Sequence, residues 1–271
     1  MKKFLYLLLF LNLMIASLQA QQVKFNEKEF FENLSKSYYS LSDIGVHNFI
    51  AMVSSLKMQK FAEELWKGEE IFPLQLIWFN PDGVYLSQRG VPSLKEGKYK
   101  EYQDLLSGLK VQLKGLLVDL QRFYFGGIYK SIPGDYILQY NEDAVQITVS
   151  TNKDNLLTKI KYLFGYNGLC LLNEISYPQQ GKVIVIYPKF KIVKNKWLCQ
   201  GWTVQTYLKG EVVSGIDLEL QNSFVDNKWV PSLIRLQVQK SEAKGKTFYD
   251  EIYLRNYLFD RSIQLKGAKT N

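Results

Sequence analysis

Apolar and polar positions along this chain follow two regimes, helical spacing in much of the stretch before about residue 128 and alternation from about residue 135 onwards. Asn26 precedes Glu29 by three residues, the spacing of a capping box, and Phe25 can pack onto Phe30 across the helix start. Phe30, Phe31, Leu34 and Tyr38 then recur every three or four positions, which predicts an amphipathic helix over residues 26–40. At Val46 to Val53 the period shifts towards alternation, with Phe49, Ala51 and Val53 on one face of a first strand. A second short helix follows from Met58 to Lys67. Phe72 to Phe79 and Val84 to Gln88 are β-prone and flank Asn80-Pro81-Asp82-Gly83, which predicts a hairpin. From Tyr99 to Phe125 the residues Tyr102, Leu105, Leu106, Leu109, Leu113, Leu116, Leu117, Leu120 and Tyr124 form one stripe of a long helix. Its polar side carries Lys100, Gln103, Asp104, Lys110, Gln112, Lys114 and Gln121.

After Gly126-Gly127 the pattern is extended for the rest of the chain, with runs at 135–141, 144–150, 158–164, 169–177, 182–193, 196–208, 211–224, 229–240 and 246–258. Turn-forming separators such as Asn167-Gly168, Lys194-Asn195, Gly210, Asp226-Asn227 and Lys244-Gly245 join them, so neighbouring runs pair as an antiparallel meander. Several runs exceed the usual strand length of about five or six residues, and long strands in one sheet curl. The predicted fold class is α+β, a long, strongly curved antiparallel sheet, half-barrel or incomplete barrel, with amphipathic helices packed on its concave face. No linker composition interrupts it, so residues 21–271 read as a single domain, helix-rich over 26–128 and a β-meander over 135–258.

The first twenty residues read differently. Lys2 and Lys3 precede an apolar stretch from Phe4 to Ile15, broken only by Asn12 and too short to span a bilayer comfortably. Ala16-Ser17-Leu18-Gln19-Ala20 follows, which predicts a signal peptide cleaved after Ala20 and a periplasmic or secreted protein. No Cys follows the apolar stretch to carry a lipid, and no later segment reaches the length of a transmembrane span. Removing Lys2 and Lys3 leaves 32 basic against 26 acidic side chains. This excess is scattered along the chain, which argues against nucleic acid and fits a solvated surface or attraction to anionic headgroups.

Candidate chemistry is sparse. The one histidine, His47, has neither a nucleophile elbow nor a cysteine active-site signature around it, and one His with two separated Cys makes no common metal set. No glycine-rich phosphate loop is present, and no cofactor is expected. In the meander Cys170 falls opposite about residue 189 and Cys199 opposite about residue 190, on either side of one intervening strand. Two strand spacings, roughly 9.5 Å, exceed the roughly 7 Å limit for a disulfide, so both thiols are expected to be buried and free. Glu174, Asp217, Glu219, Asp250 and Glu251 are the carboxylates a glycosidase pair would draw on, although Glu174, Glu219 and Glu251 lie in alternating strands where a solvated face is expected. Trp66, Trp78, Trp197, Trp202 and Trp229, among many Tyr and Phe, suit core or cavity lining, the commoner use, or an exposed sugar-stacking platform, the rarer one.

Trp229-Val230-Pro231-Ser232-Leu233-Ile234-Arg235, followed by Thr247 and by Ile252-Tyr253-Leu254-Arg255-Asn256-Tyr257, looks like a strand pair in which Pro enters one strand and Asn closes the next. With the order of helices and strands, this resembles the periplasmic carriers of outer-membrane lipoproteins, the LolA/LolB-like half-barrel family, as a longer and divergent member expanded around residues 59–128. The resemblance implies an open half-barrel that holds lipid chains beneath helical cover, and no functional residue matches position by position. A concave apolar face under such a helix can shield acyl chains from water, each buried CH₂ contributing roughly 0.8 kcal/mol. The expected function is non-catalytic binding of a lipid or acylated protein, in lipoprotein sorting at the cell envelope. Candidate cavity-lining residues are Tyr102, Leu106, Leu109, Leu113 and Leu117 on the long helix with Ile234, Leu236 and Val238 on the sheet. The same residues read equally well as a closed core, in which case the chain is an envelope interaction or sensor module with a protein partner. A secreted hydrolase is the third reading.

Overall fold

Alternating apolar positions commit each strand to one buried face, and a long sheet with one such face bends around what covers it. The computed structural model describes residues 25–66, 70–90, 93–94, 96–153, 156–240 and 247–262. The expected export segment, with its cleavage point after Ala20, lies outside these described residues. The elements are α1 (Glu27–Ser37), β1 (Asn48–Ser55), α2 (Leu56–Trp66), β2 (Leu74–Phe79), β3 (Gly83–Gln88), α3 (Glu96–Leu120), β4 (Ile137–Tyr140), β5 (Ala144–Lys153), β6 (Leu156–Gly165), β7 (Cys170–Tyr177), β8 (Lys182–Val193), β9 (Lys196–Leu208), β10 (Glu211–Val225), β11 (Lys228–Lys240) and β12 (Thr247–Phe259).

These strands form one antiparallel sheet in the order β3-β2-β1-β12-β11-β10-β9-β8-β7-β6-β5-β4. It is open, with β3 and β4 as its edges. The fold is the predicted one, α+β with a curved antiparallel sheet and helices on its concave face. From β4 to β12 each strand pairs with the next in sequence, as a meander must. The first 90 residues add three strands to the same sheet, because β1 pairs with β12 through Phe49↔Phe259 and Val53↔Leu254. Among the described residues five register shifts interrupt the ladders, and such bulges bend the strands that carry them.

The helices begin where the sequence places them. Asn26 Oδ1 accepts a hydrogen bond from the Glu29 amide at 3.3 Å, and the Phe25 and Phe30 rings lie 5.5 Å apart across the start of α1. The helix ends at Ser37, three residues before the predicted limit, because Tyr38 and Tyr39 are recruited by the sheet. Tyr38 makes a parallel bridge with Trp197, and the Tyr39 amide donates to the Trp197 carbonyl at 2.9 Å. The Tyr39 hydroxyl accepts from the Trp229 amide at 2.7 Å. Residues 38–39 therefore fill a gap between the tip of β9 and the β10–β11 hairpin, beyond Gly201↔Glu219 where the described β9–β10 register ends. Gly201 allows the close approach just before that gap, since a Cβ there would lie 2.0 Å from the Leu218 carbonyl oxygen.

The long helix starts at Glu96 and widens after Leu120 into a π-helical turn, Gln121–Phe125. It lies over the β1–β3 and β12 part of the sheet. Lys110 donates to Gln88 at 2.9 Å, Gln112 to Asp250 at 3.0 Å, and the Trp78 indole to Gln121 at 2.7 Å. The short helix α1 covers the opposite part, where Phe30 meets Phe164 at 6.0 Å. Among the described residues no helix is long and apolar enough to cross a membrane.

Candidate functional site

Strand register assigns the residues of the concave face row by row. One row runs Ile147, Tyr162, Asn173, Ile186, Val204, Ile216, Val238 from β5 to β11, and the next, one pleat nearer the β7–β8 turn, includes Ile160, Ile175 and Ile184. Ile147, Tyr162, Asn173 and Ile186 are buried, while Val204, Ile216, Val238, Ile160, Ile175 and Ile184 are only half-buried. The hollow is closed at its centre and thinly covered at that end, where six aliphatic side chains make an L-shaped strip.

The eight predicted lining residues fall on the two sides of the hollow. Tyr102, Leu106, Leu109, Leu113 and Leu117 point inward from α3, and with Ile234 and Leu236 they belong to one continuous buried core. Val238 differs, lying half-buried between Ile216 and the exposed Phe248. The α3 side chains thus occupy the hollow themselves.

Sequence periodicity missed the polar centre of this face. Asp119 and Arg122, at the junction of α3 and its π-helical turn, are both buried and form an ion pair of 2.6 Å. Burial pushes the Asp119 carboxyl up to about 6 against the pull of Arg122. Among the described residues the Arg122 Nε, the Trp202 indole N–H and the Asn173 Oδ1 are buried without a hydrogen-bond partner. Phe123 connects this group to the sheet, its ring 5.8 Å from that of Trp202. Cys170 and Cys199 are free and buried on the flanking strands β7 and β9, as expected. Burial raises each thiol to about 12, Arg122 drawing Cys170 down and Asp119 driving Cys199 up. They are unreactive as nucleophiles in this state.

Asp250 is a further concave-face group. It is buried, accepts from Gln112 of α3 at 3.0 Å and pairs with Lys57 of α2 at 3.3 Å, so one carboxylate ties both helices to β12. The other candidate carboxylates lie on the convex face: Glu174 pairs with Lys161 at 3.3 Å, Asp217 with Lys189 at 2.6 Å and Glu251 with Arg235 at 3.2 Å, while Glu219 is exposed. Hydrogen bonds from Tyr249 and Tyr253, with Arg235, hold Glu251 below the usual carboxylate range. His47 is exposed just before β1. Among the described residues no group of three or more His, Cys, Asp or Glu is placed to hold a metal ion.

The strand pair singled out in the sequence lines a groove of about 570 Å³, with Gln221, Val230, Ser232, Tyr253, Arg255 and Tyr257 among its lining residues. Its shape comes from the β10–β11 register shift at Gln221/Asn222 and the β12 irregularity at Asn256, whose φ is 53°. No family model, no curated protein and no solved structure matches the chain.

Proposed function

We propose that this protein is exported to the periplasm or beyond and, without catalysis, holds the acyl part of a lipid or lipidated protein on the concave face of its sheet. The observation that carries the reading is the half-buried aliphatic strip of Ile160, Ile175, Ile184, Val204, Ile216 and Val238, which leads towards a buried, incompletely partnered Asp119–Arg122 pair. An apolar body would lie on the strip and a polar head would find donors at its deep end. Because α3 fills the rest of the hollow, a full-length acyl chain enters by displacing that helix. The exchange is close to balanced: exposing five large side chains costs about 10 kcal/mol at roughly 2 kcal/mol each, and burying about twelve CH₂ groups returns about 10 kcal/mol. Near balance is what a reversible carrier requires.

Native mass spectrometry and lipid extraction of the purified protein, with displacement of a fluorescent fatty acid, test this reading. Expected are co-purified lipid, probe binding, and loss of the probe in Ile216→Asp with Val238→Asp. Absence of both lipid and probe binding overturns it. The burial of seven of the eight predicted lining residues supports a second reading, an envelope interaction module with a permanently filled hollow. That reading gains if the double variant is folded and the parent binds no probe.

A further inference from the structure

Two hairpin tips at one end of the sheet present apolar side chains to water. β8 turns into β9 at Lys194-Asn195 and β10 into β11 at Asp226-Asn227, with positive φ at all four residues, 48°, 62°, 46° and 61°. These are the backbone signs of two-residue type I′ turns, which give short, stiff tips. Ile192 is 62% exposed, Phe224 is 49% exposed, and Leu258, at the end of β12 beside them, is 43% exposed. All three lie at the same end because β8, β10 and β12 run in the same direction through the meander.

Cations are interleaved with these side chains. The Lys191 amine lies 5.6 Å from the Trp229 ring, Lys194 is 5.7 Å from Phe224, and Lys228 is 4.6 Å from Phe259. Phe224 and Trp229 pack together with centroids 5.1 Å apart. Lys191 and Lys194 therefore connect the β8–β9 tip to the β10–β11 tip. Among the described residues neither they, nor Lys228, nor Arg261 forms an ion pair. Lys196 reaches the Tyr38 carbonyl at 3.5 Å, and Lys189 is held by Asp217. The carboxylates nearest the two tips are Asp226 in its turn and Asp260, whose Oδ1 already accepts from the His47 and Asn48 amides at 2.8 and 3.3 Å, while Asp82 of the β2–β3 turn and Glu142 and Asp143 of the β4–β5 turn lie at the same end farther along the sheet. At the two tips themselves positive charge prevails, Lys191, Lys194, Lys196 and Lys228 against Asp226, in keeping with the chain, where Lys and Arg number 34 against 26 acidic residues.

We propose that this end of the sheet docks on an anionic lipid bilayer. The boundary between headgroups and acyl chains asks for apolar side chains on a rigid support with lysines able to reach outward to phosphates. The tips meet both demands, with Ile192, Phe224 and Leu258 entering the boundary and Lys191, Lys194 and Lys228 meeting the anionic headgroups. A polynucleotide would satisfy the lysines and leave Ile192 and Leu258 in water. The docking surface is independent of whether the hollow carries cargo.

Co-sedimentation of the whole protein with phosphatidylcholine vesicles, with and without phosphatidylglycerol, tests the proposal. Binding is expected to require phosphatidylglycerol and to weaken with salt. Each lysine replaced weakens it about fivefold, so Lys191→Ala, Lys194→Ala and Lys228→Ala together lower it about a hundredfold. Ile192→Ser with Phe224→Ser is expected to lower binding at low salt as well. Circular dichroism and thermal unfolding are expected to show that both variants remain folded, as their surface positions predict. Equal binding to both vesicle types, binding that neither set changes, or retention on heparin without vesicle binding each overturns the proposal, the last assigning the tips to a soluble polyanion.

Discussion

The two faces of this sheet use the same kinds of charged residue in opposite ways. On the convex face Glu251 receives hydrogen bonds from Tyr249, Tyr253 and Arg235, which hold its carboxyl below the ordinary range. Asp217, raised by partial burial, is brought down further than that by Lys189 and Thr203. On the concave face Asp119 has a guanidinium at 2.6 Å and still sits at about 6, because burial outweighs the pair. The convex pairs are ordinary solvated contacts, worth about 0–1 kcal/mol each. The concave pair is one that well-packed apolar residues could replace with little loss or even a gain of stability. Its presence, with incompletely bonded Arg122 and Asn173 atoms, in a hollow lined mainly by Leu, Ile, Val and aromatic rings is the reason to look for function on that face.

The contrast is broken most sharply by removing one cation from each side. Arg122→Met leaves Asp119 buried without its partner and is expected to cost about 3–5 kcal/mol in urea denaturation. Arg235→Met, on the convex face, is expected to cost about 0.2–1 kcal/mol. Comparable losses at the two positions would erase the distinction. Replacing both inner charges, Asp119→Leu with Arg122→Met, is expected to recover most of the stability, as apolar replacement of buried ion pairs often does. Leu113→Ala follows in size, since Leu113 is fully buried under α3, with an expected loss of about 2–5 kcal/mol from transfer and cavity together. A loss below about 1 kcal/mol would mean that α3 is loosely seated, which favours its displacement by cargo.

Much of this architecture was legible because turn chemistry sets strand limits. The runs predicted at 182–193 and 196–208 are β8 and β9 to the residue, since Lys194-Asn195 takes the positive φ that a two-residue hairpin needs. Alternation placed Phe49, Ala51 and Val53 on one buried face, and it placed Ile234 and Leu236 opposite exposed Arg235. The pairing of β1 with β12 was not legible. Nothing local in Phe49 or Phe259 specifies a partner about two hundred residues away; the choice is made by the Phe49, Trp78, Phe125 and Tyr257 rings that pack together once the sheet exists. The polar centre was hidden for another reason. A π-helical turn adds a residue, rotating the following side chains by about 100° relative to the α-helical register. Periodicity carried straight through Gln121–Phe125 has no register for Arg122, and the pattern put neither Asp119 nor Arg122 in the apolar or the polar set.

Acid titration sharpens the same contrast by sign. Asp119 has its folded value raised, so its carboxyl is protonated in both states below pH 3.8 and favours neither. Above about pH 6 the folded protein must hold it ionised. Stability from this group therefore falls as pH rises from about 4 to 6, by about 3 kcal/mol for the full shift. Asp119→Asn is expected to remove that slope, read as the difference between urea midpoints across the interval. A slope unchanged by the substitution would assign it to other carboxylates.

Glu251 has its folded value lowered, and the sign reverses. Its contribution is complete above the ordinary glutamate value, near pH 4.5, and is lost as pH falls through the lower folded value. The side chain lies in a solvated pair, so the amount is small: Glu251→Gln at neutral pH is expected to cost about 0.5–1 kcal/mol. That cost should shrink towards zero as pH falls through the lowered folded value, where the wild-type carboxyl gains its own proton. A cost of several kcal/mol, or one that persists in acid, would mean that Tyr249, Tyr253 and Arg235 hold Glu251 for packing as well as charge. The convex network would then be as structural as the clamp that Asp250 makes on the other face.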